Sequence, residues 1–194
     1  YEALMGRTPL SACLQSTCVK GLSLIPADIR LAGAELELVE LERREYRLKH
    51  LLKTIEGDFD FLFVDCPPSL GLLTVNALTA AQRVLIPIQC EYYALEGVSS
   101  LMNTVNRVKH AFNPGLDIEG VLLTMLDART NLGIQVVDSV KKHFKSRVFA
   151  TAIPRNVRLG EAPSHGLPIH LYDPRSLGAD SYRRLAQEFL QRNR

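Results

Sequence analysis

The chain has 194 residues, of which 46% are hydrophobic and 23% charged, and its formal net charge is +2. These are the values of an ordinary folded domain, and they exclude a disordered chain or one whose bulk charge alone would attract nucleic acid. No apolar run reaches the roughly 18 residues that a membrane span needs, and the opening "YEALMGRTPL" lacks the basic start and apolar core of a signal peptide.

Short apolar runs alternate with longer amphipathic stretches along the chain. The apolar runs predict strands at residues 22–26, 59–65, 83–89, 118–125 and 147–154. Helical periodicity predicts helices at residues 34–55, 70–81, 94–112, 131–144 and 176–191. Ser69 is a candidate N-cap of the second helix. Apolar strands that alternate with helices indicate an α/β fold, a mostly parallel sheet with helices on both faces, which we predict as a single domain over residues 1–194.

Polar residues follow the ends of the predicted strands, where open α/β sheets bind their ligands. Asp65 is the clearest case, because it ends the apolar run "FDFLFVD" directly before two prolines. A carboxylate in that position is costly unless a positive group meets it. P-loop nucleotidases use such an acid to hold hydrated Mg²⁺. The alternative, that Asp65 only caps a turn or the following helix, stays open on the residues alone.

A basic stretch lies near the end of the chain. Between residues 141 and 158 there are six Lys and Arg residues and no acid. Clustered bases bind phosphate backbones without sequence preference. The alternative is an ordinary solvated helix face.

Three long blocks carry a family resemblance: "DFLFVDCPPSLGLLTVNALTAAQRVLIPIQCEYYALEG", "GVLLTMLDARTNLGIQVV" and "AIPRNVRLGEAPSHGLPIHLYDPRSLGA". They resemble the ParA/Soj-type chromosome and plasmid partition ATPases, which are deviant Walker relatives of MinD, over nearly all of the chain. The resemblance implies ATP and Mg²⁺ as cofactors, an ATP-sandwich homodimer that binds nucleoid DNA nonspecifically, and a ParB/Spo0J-type centromere-binding partner that stimulates hydrolysis. It also implies a cytoplasmic, nucleoid-associated protein that binds no membrane.

The resemblance assigns roles residue by residue. Asp65 matches the Walker B acid, which is catalytic and holds Mg²⁺ through water. The remaining nucleotide-binding residues it implies belong to the switch after Asp65, to the base-side segments and to the loop beyond them: Pro67, Pro68, Ser69, Gly71, Met125, Pro154, Arg155, Asn156 and Glu161. The DNA-binding residues are placed in the basic stretch: Lys141, Lys142, Lys145, Arg147 and Arg158.

The chain also departs from the family pattern. The N-terminal K-G-G-x-G-K-S/T loop and the switch I aspartate are absent from the 194 residues, and Leu177 stands where relatives commonly carry a second basic residue. We therefore expect the C-terminal two thirds of a ParA-type ATPase domain, a P-loop NTPase fold without its P-loop strand and helix, and no ATPase activity from this chain alone.

Two alternatives remain. A MinD-like membrane-associated positioning ATPase would use the amphipathic last helix, in which Tyr182, Leu185, Phe189 and Leu190 lie on one side. We expect that helix to pack on the core instead. A noncatalytic, truncated module that binds DNA or a partner is the other alternative.

Overall fold

The computed structural model describes residues 1–67, 69, 71–91 and 94–193. Within it the chain forms two compact units. The first consists of Tyr1–Gln82 and Asn103–Leu116, and the second of Arg83–Met102 and Asp117–Arg194.

The described residues form four strands and eight α-helices. The strands are β1 (Gln15–Ser16), β2 (Ser23–Leu24), β3 (Arg83–Gln89) and β4 (Asp117–Thr124). The α-helices are α1 (Arg30–Val39), α2 (Arg47–Leu52), α3 (Leu72–Ala80), α4 (Ala94–Ala111), α5 (Asn131–Phe144), α6 (Val157–Glu161), α7 (Ile169–Tyr172) and α8 (Leu177–Arg192). Short 3₁₀ turns lie at Leu10–Cys13, Arg44–Tyr46, Glu56–Asp58, Lys145–Arg147 and Ala162–His165.

The second unit is built on a parallel pair of strands. β3 pairs with β4 from Arg83 opposite Asp117 to Gln89 opposite Thr124, with a register shift between Val84 and Leu85. Successive side chains of a strand point to opposite faces. In β4 both faces are buried, whereas Pro87 and Gln89 on one face of β3 stay exposed. The segment that follows α5 extends the pair only through isolated bridges, since Val148 pairs with Val121 and Pro154 with Leu126.

Helices cover both faces of the pair. On one face Ile86, Ile88, Val121 and Leu123 pack with α4 and α5. On the other face Leu122 packs with Phe149, Ile153, and Leu185 and Phe189 of α8. This arrangement confirms the α/β prediction of a parallel arrangement with helices on both faces.

Helix α8 is a core helix, as expected from the sequence. Leu185 and Phe189 pack on the second unit, whereas Tyr182 and Leu190 stay 43% and 47% exposed. Arg192 places its guanidinium 3.9 Å from the Phe149 ring centroid. In the described ranges, none of the helices has the length and apolar character to cross a bilayer.

The first unit packs α1 against α3. Ala34 and Leu38 of α1 are fully buried together with Leu4, and Leu72 and Leu73 of α3 lie against them. β1 and β2 form a two-residue antiparallel ladder. Of the strand predicted at residues 22–26, only Ser23–Leu24 is therefore formed.

Two strand predictions are wrong for a common reason. Residues 59–65 form no strand, and residues 147–154 contribute only the isolated bridges. An apolar run becomes a strand only where a neighbouring backbone pairs with it. The described part of the chain supplies no such ladder for residues 59–65, and their Leu62, Phe63 and Val64 remain exposed.

The single helix predicted at residues 34–55 is also wrong. The chain leaves α1 after Val39, and Arg43 adopts a left-handed φ of 50° before α2 begins at Arg47. A straight helix of that length would extend about 33 Å. The break instead lets Leu38 and Leu48 reach the same apolar cluster.

Candidate functional site

Asp65 lies at the end of an exposed segment of the first unit that has no regular secondary structure. The carboxylate is exposed, as are its neighbours Val64 and Cys66. Among the described residues, no cation forms a salt bridge with Asp65. An exposed, uncompensated carboxylate suits a hydrated divalent cation, which keeps its water shell and needs only one or two carboxylates.

The helix after Asp65 begins with a cap from a distant residue. Gly71 is the N-cap of α3 and makes no side-chain cap bond, so the Ser69 cap prediction is wrong. Glu35 Oε1 instead accepts from Leu73 N at 3.1 Å, and a carboxylate there also complements the helix dipole. Ser69 contributes its carbonyl, which accepts from Thr74 Oγ1 at 2.7 Å.

The Glu35 cap leaves no room for a side chain at Gly71 unless the Glu35 carboxylate moves. A Cβ atom at Gly71 would collide with the Glu35 carboxylate. Its φ of −76° is open to any residue. A side chain at Gly71 would therefore displace the Glu35 cap, through contact with the Glu35 carboxylate and not through backbone conformation.

The middle of α3 is tied to a second segment by Asn76, which is 1% exposed. Asn76 Nδ2 donates to the carbonyls of Arg44 at 2.8 Å and Leu72 at 3.1 Å, and Oδ1 accepts from Leu48 N at 3.1 Å. The amide group thereby satisfies partly buried backbone groups of α2, of the turn before it and of α3 itself.

The end of α3 is held in the same way. Asn113 Nδ2 donates to Leu78 O at 3.0 Å and to Ala81 O at 2.7 Å. These are carbonyls that the last turn of a helix leaves without intrahelical partners. Side chains from other segments therefore fix the start and end of α3, and its own Asn76 ties the middle to Arg44 and Leu48.

The rim of the second unit is formed where β4 ends. Met125 adopts a left-handed φ of 55°, which is uncommon for a non-glycine residue and is found at functional sites. Leu126 then bridges to Pro154, and Arg155 N donates to Leu126 O at 3.1 Å. The structure thus brings Met125 next to the Pro154–Asn156 segment.

Charged side chains order this rim. Arg129 makes two side-chain bonds to Asp127, at 2.9 Å and 2.8 Å, and its backbone N–H donates to the same carboxylate. These Arg129 bonds, with a smaller contribution from Arg155, lower the pKa of Asp127 to about 2. Arg155 in turn pairs with Glu91 at 2.5 Å.

The loop beyond the rim holds a compact ion-pair cluster. Asn156 caps α6 by accepting from Arg158 N at 2.9 Å. Arg158 Nη1 donates to Glu161 Oε2 at 2.8 Å, and its Nε lies 3.4 Å from Asp173 Oδ2. The Arg158 bond, followed by a bond from Tyr172, lowers the pKa of Glu161.

The predicted DNA-binding residues fall into two groups. Lys141, Lys142 and Lys145 are exposed at and just after the end of α5, and within the described ranges none of them forms a salt bridge. Arg147 and Arg158 are engaged, since Arg147 pairs with Asp117 at 2.9 Å and Arg158 with the two carboxylates described above.

The predicted site residues thus lie in separate units. The first unit holds Asp65, Pro67, Ser69 and Gly71, and the second holds Met125, Pro154, Arg155, Asn156 and Glu161. Pro68 lies outside the described residues. The individual roles of all these predicted site residues stay predictions.

Sequence reasoning missed several contacts. Glu35 and Asn76 carried no local signal, because their partners are 38 and 28 residues away. The Asp127–Arg129 pair could have been predicted from sequence, since only Ala128 separates the two residues on a strand-end loop.

Among the proteins of known sequence that this chain resembles are chromosome-partitioning proteins. A family model described as an AAA domain matches residues 1–118. The sporulation initiation inhibitor protein Soj of Bacillus subtilis is 59% identical over 188 residues, which cover 97% of this chain and 74% of Soj. The chromosome partitioning protein ParA of Myxococcus xanthus is 51% identical over 193 residues, which cover 100% of this chain and 68% of that protein.

A solved structure confirms the fold. Cobyrinic acid a,c-diamide synthase from Mycobacterium smegmatis, with bound ADP and magnesium, matches with a TM-score of 0.82 and 39% identity over 98% of this chain and 70% of that one. Its name denotes a different activity, and the higher identities are to partition proteins. The resemblance carried by the three sequence blocks is confirmed, and the chain belongs to the Soj/ParA family of chromosome-partitioning ATPases.

Proposed function

We propose that this chain serves DNA partitioning as part of an ATP- and Mg²⁺-dependent ATPase that dimerises around ATP and binds DNA nonspecifically. The observation that carries the proposal is the 59% identity to Soj over almost the whole chain. The exposed Asp65 carboxylate supports it, because hydrated Mg²⁺ on a nucleotide would compensate its charge. A neighbour at 39% identity is known with ADP and magnesium.

The chemistry of such a site is positioning and electrostatics. Bound Mg²⁺ would neutralise charge on the phosphates. Asp65 would hold water molecules of the metal's hydration shell. Pro67, Ser69 and Gly71 would transmit a displacement of Asp65 to α3. Because α3 is fixed to Arg44 and Leu48 through Asn76, a displacement of the switch would be passed to α2.

The base side of the nucleotide would lie at the rim of the second unit. Met125 offers an apolar thioether at a position where the backbone is constrained. Pro154 and Asn156 follow the bridge to Leu126, and the ion pair between Arg155 and Glu91 would keep that segment in place.

DNA binding would rest mainly on the lysines at and just after the end of α5. Lys141, Lys142 and Lys145 are exposed without salt bridges among the described residues, so a phosphate displaces only water and counterions from them. Each neutralised phosphate adds about 0.9 to the slope of log affinity against log salt concentration. A ParB/Spo0J-type partner, a homodimer with ATP and nucleoid association in the cytoplasm complete the proposal.

The 194 residues themselves are proposed to be inactive in hydrolysis. They contain no K-G-G-x-G-K-S/T sequence, which supplies the backbone N–H groups and lysines that cradle the phosphates. We expect phosphate release by the purified chain to equal that of an Asp65→Asn variant. Turnover by the chain that Asp65→Asn abolishes would overturn this proposal.

Two alternatives have direct tests. A MinD-like membrane role is disfavoured because Leu185 and Phe189 pack in the core, and cosedimentation with anionic liposomes would revive it. If the chain is a noncatalytic binding module, its binding to DNA or to a partner should be unchanged by ATP. This should hold even in a protein that carries the K-G-G-x-G-K-S/T loop. Binding that appears only with ATP would exclude that module.

A further inference from the structure

Helix α1 carries a second apolar face, separate from the face that packs on α3. Ile29, Leu36 and Val39 are 87%, 79% and 51% exposed, and Ala32 between them is exposed as well. Ile29 is the N-cap of α1 but has helical backbone angles, with φ −57° and ψ −26°, so it continues the helix. Residues at this spacing of three, four and three lie along one side of a helix. We call them the α1 stripe.

The other face of α1 is already in use. Ala34 and Leu38 are fully buried in the cluster that includes Leu72 of α3. With 3.6 residues per turn, Leu36 points about 160° away from Leu38. A helix that is apolar on both sides is normally covered on both. In the part of the chain that the structure describes, the α1 stripe has no such cover.

Acidic residues border the α1 stripe. Helical geometry places Glu35 along one edge, and Glu37 and Glu40 along the other. Residues 28–42 contain five acids and one base, although the whole chain has a net charge of +2. Glu35 caps α3, and Glu37 pairs with an arginine at 3.4 Å. Glu40 forms no salt bridge within the described ranges. The uncompensated charge beside the stripe is therefore negative.

We propose that the α1 stripe is a docking surface for a basic amphipathic helix of a partner protein. Apolar residues of that helix would cover the stripe, and its Lys or Arg residues would meet the bordering acids. Helices that dock in this way use anchors at the spacing that the stripe presents. Opposite charges across the contact add specificity and speed association. The inference goes beyond the proposed function and does not depend on it.

A second copy of this chain is a poorer occupant of the stripe. Two copies of α1 would bring their acidic borders together, and like charges across a contact are destabilising. The stripe also extends over residues 29–39 alone, which is about 15 Å of helix. Helices that pair with themselves carry the apolar repeat over roughly three to four heptads. The length instead suits about three turns of one partner helix.

The test titrates a fluorescent helical peptide with the purified chain and follows its anisotropy. The peptide has about 14 residues, enough to cover the stripe, with Leu at heptad positions a and d, Lys at e and g, and Ala or Gln elsewhere. A second peptide carries Glu in place of each Lys. The variants are Leu36→Gln and Glu40→Gln. Leu177→Gln is the matched control, because Leu177 is a leucine of α8 in the second unit that is 61% exposed.

We expect Leu36→Gln to weaken binding of the Lys peptide by at least about tenfold, because burial of one leucine accounts for a decade or more of affinity. Glu40→Gln should weaken binding about two- to fivefold and reduce its dependence on salt. The Glu peptide should bind at least about tenfold more weakly than the Lys peptide. Leu177→Gln should change the affinity less than about twofold.

Several results would overturn the proposal. They include a wild-type chain that does not bind the Lys peptide, equal losses in Leu36→Gln and Leu177→Gln, and equal binding of the two peptides. A wild-type chain that sediments as a dimer, and as a monomer after Leu36→Gln, would make a second copy the occupant. Loss of peptide binding in a protein that also carries the K-G-G-x-G-K-S/T loop would assign the stripe to contacts within one protein. None of these results bears on the proposed ATPase and DNA-binding functions.

Discussion

Replacement of Asn76 by Asp tests whether α3 is tied to the start of α2 through one buried amide. The substitution preserves shape and the acceptor for Leu48 N, but it replaces the Nδ2 donor with an oxygen. The carbonyls of Arg44 and Leu72, at 2.8 Å and 3.1 Å, then face an acceptor in place of a donor. Each lost bond costs about 1 to 1.5 kcal/mol, and a buried carboxylate adds to this. We expect a loss of roughly 3 to 5 kcal/mol at pH 7.

The same variant has a diagnostic pH dependence. A protonated carboxyl group can donate again to one carbonyl, so the folded state favours the protonated form and raises the pKa of the new Asp above its unfolded value of about 3.9. The folded state then binds more protons than the unfolded state, and stability falls as pH rises from about 4 towards the folded pKa. We expect Asn76→Asp to recover about 1 to 2 kcal/mol between pH 7 and pH 4.

The measurement is urea unfolding at pH 7, 5.5 and 4, with Asn106→Asp as the control. Asn106 is exposed and lies in the same unit, so its replacement should cost less than about 0.5 kcal/mol. The reasoning is refuted if both variants unfold at the same urea concentration at pH 7, or if the deficit of Asn76→Asp does not shrink in acid.

Three further outcomes are expected. Arg129→Ala should raise the pKa of Asp127 from about 2 towards its ordinary 3.8, as carboxyl carbon shifts in an NMR titration would report; an unchanged pKa would show that the pair is not formed in solution. Burial raises the pKa of Glu188, but bonds from two backbone N–H groups and Arg192 outweigh it and the net pKa is lowered. The stability that Glu188 contributes is therefore present at pH values above its ordinary pKa of 4.5 and is lost as the pH falls below that value. Glu188→Gln should therefore make the free energy of unfolding fall less steeply with decreasing pH below 4.5. An unchanged pH dependence of the free energy of unfolding would count against this. Phe63 is 74% exposed, so Phe63→Ser should reduce self-association in light scattering without lowering the unfolding midpoint, and equal scattering by both proteins would contradict this.

Sequence predicted best those elements whose determinants are local. Helix α5 occupies Asn131–Phe144 as predicted, because its periodicity is strong and Thr130 accepts from Gly133 N at its start. Strand β3 occupies residues 83–89 as predicted. Both signals are complete within the segment itself.

The failures depend on distant partners. Residues 59–65 have the composition of a strand, but a ladder also requires a neighbouring backbone. The break at Arg43 has no Gly or Pro to mark it; it follows from where Leu38 and Leu48 pack. At the candidate site, the exposed acid and basic residues could be named from sequence, whereas the pairing of Arg158 with Asp173 depends on how the chain returns through α7.

The three fixed points of α3 have a consequence for local opening. A helix of nine residues ordinarily frays, and its terminal amides exchange with solvent far faster than its central ones. Here Glu35 holds the first turn, Asn76 the middle and Asn113 the last turn. The amides of α3 should therefore exchange as one cooperative unit, together with those at the start of α2. A displacement arriving from Asp65 would not be absorbed by melting of the first turn; it would move the whole helix.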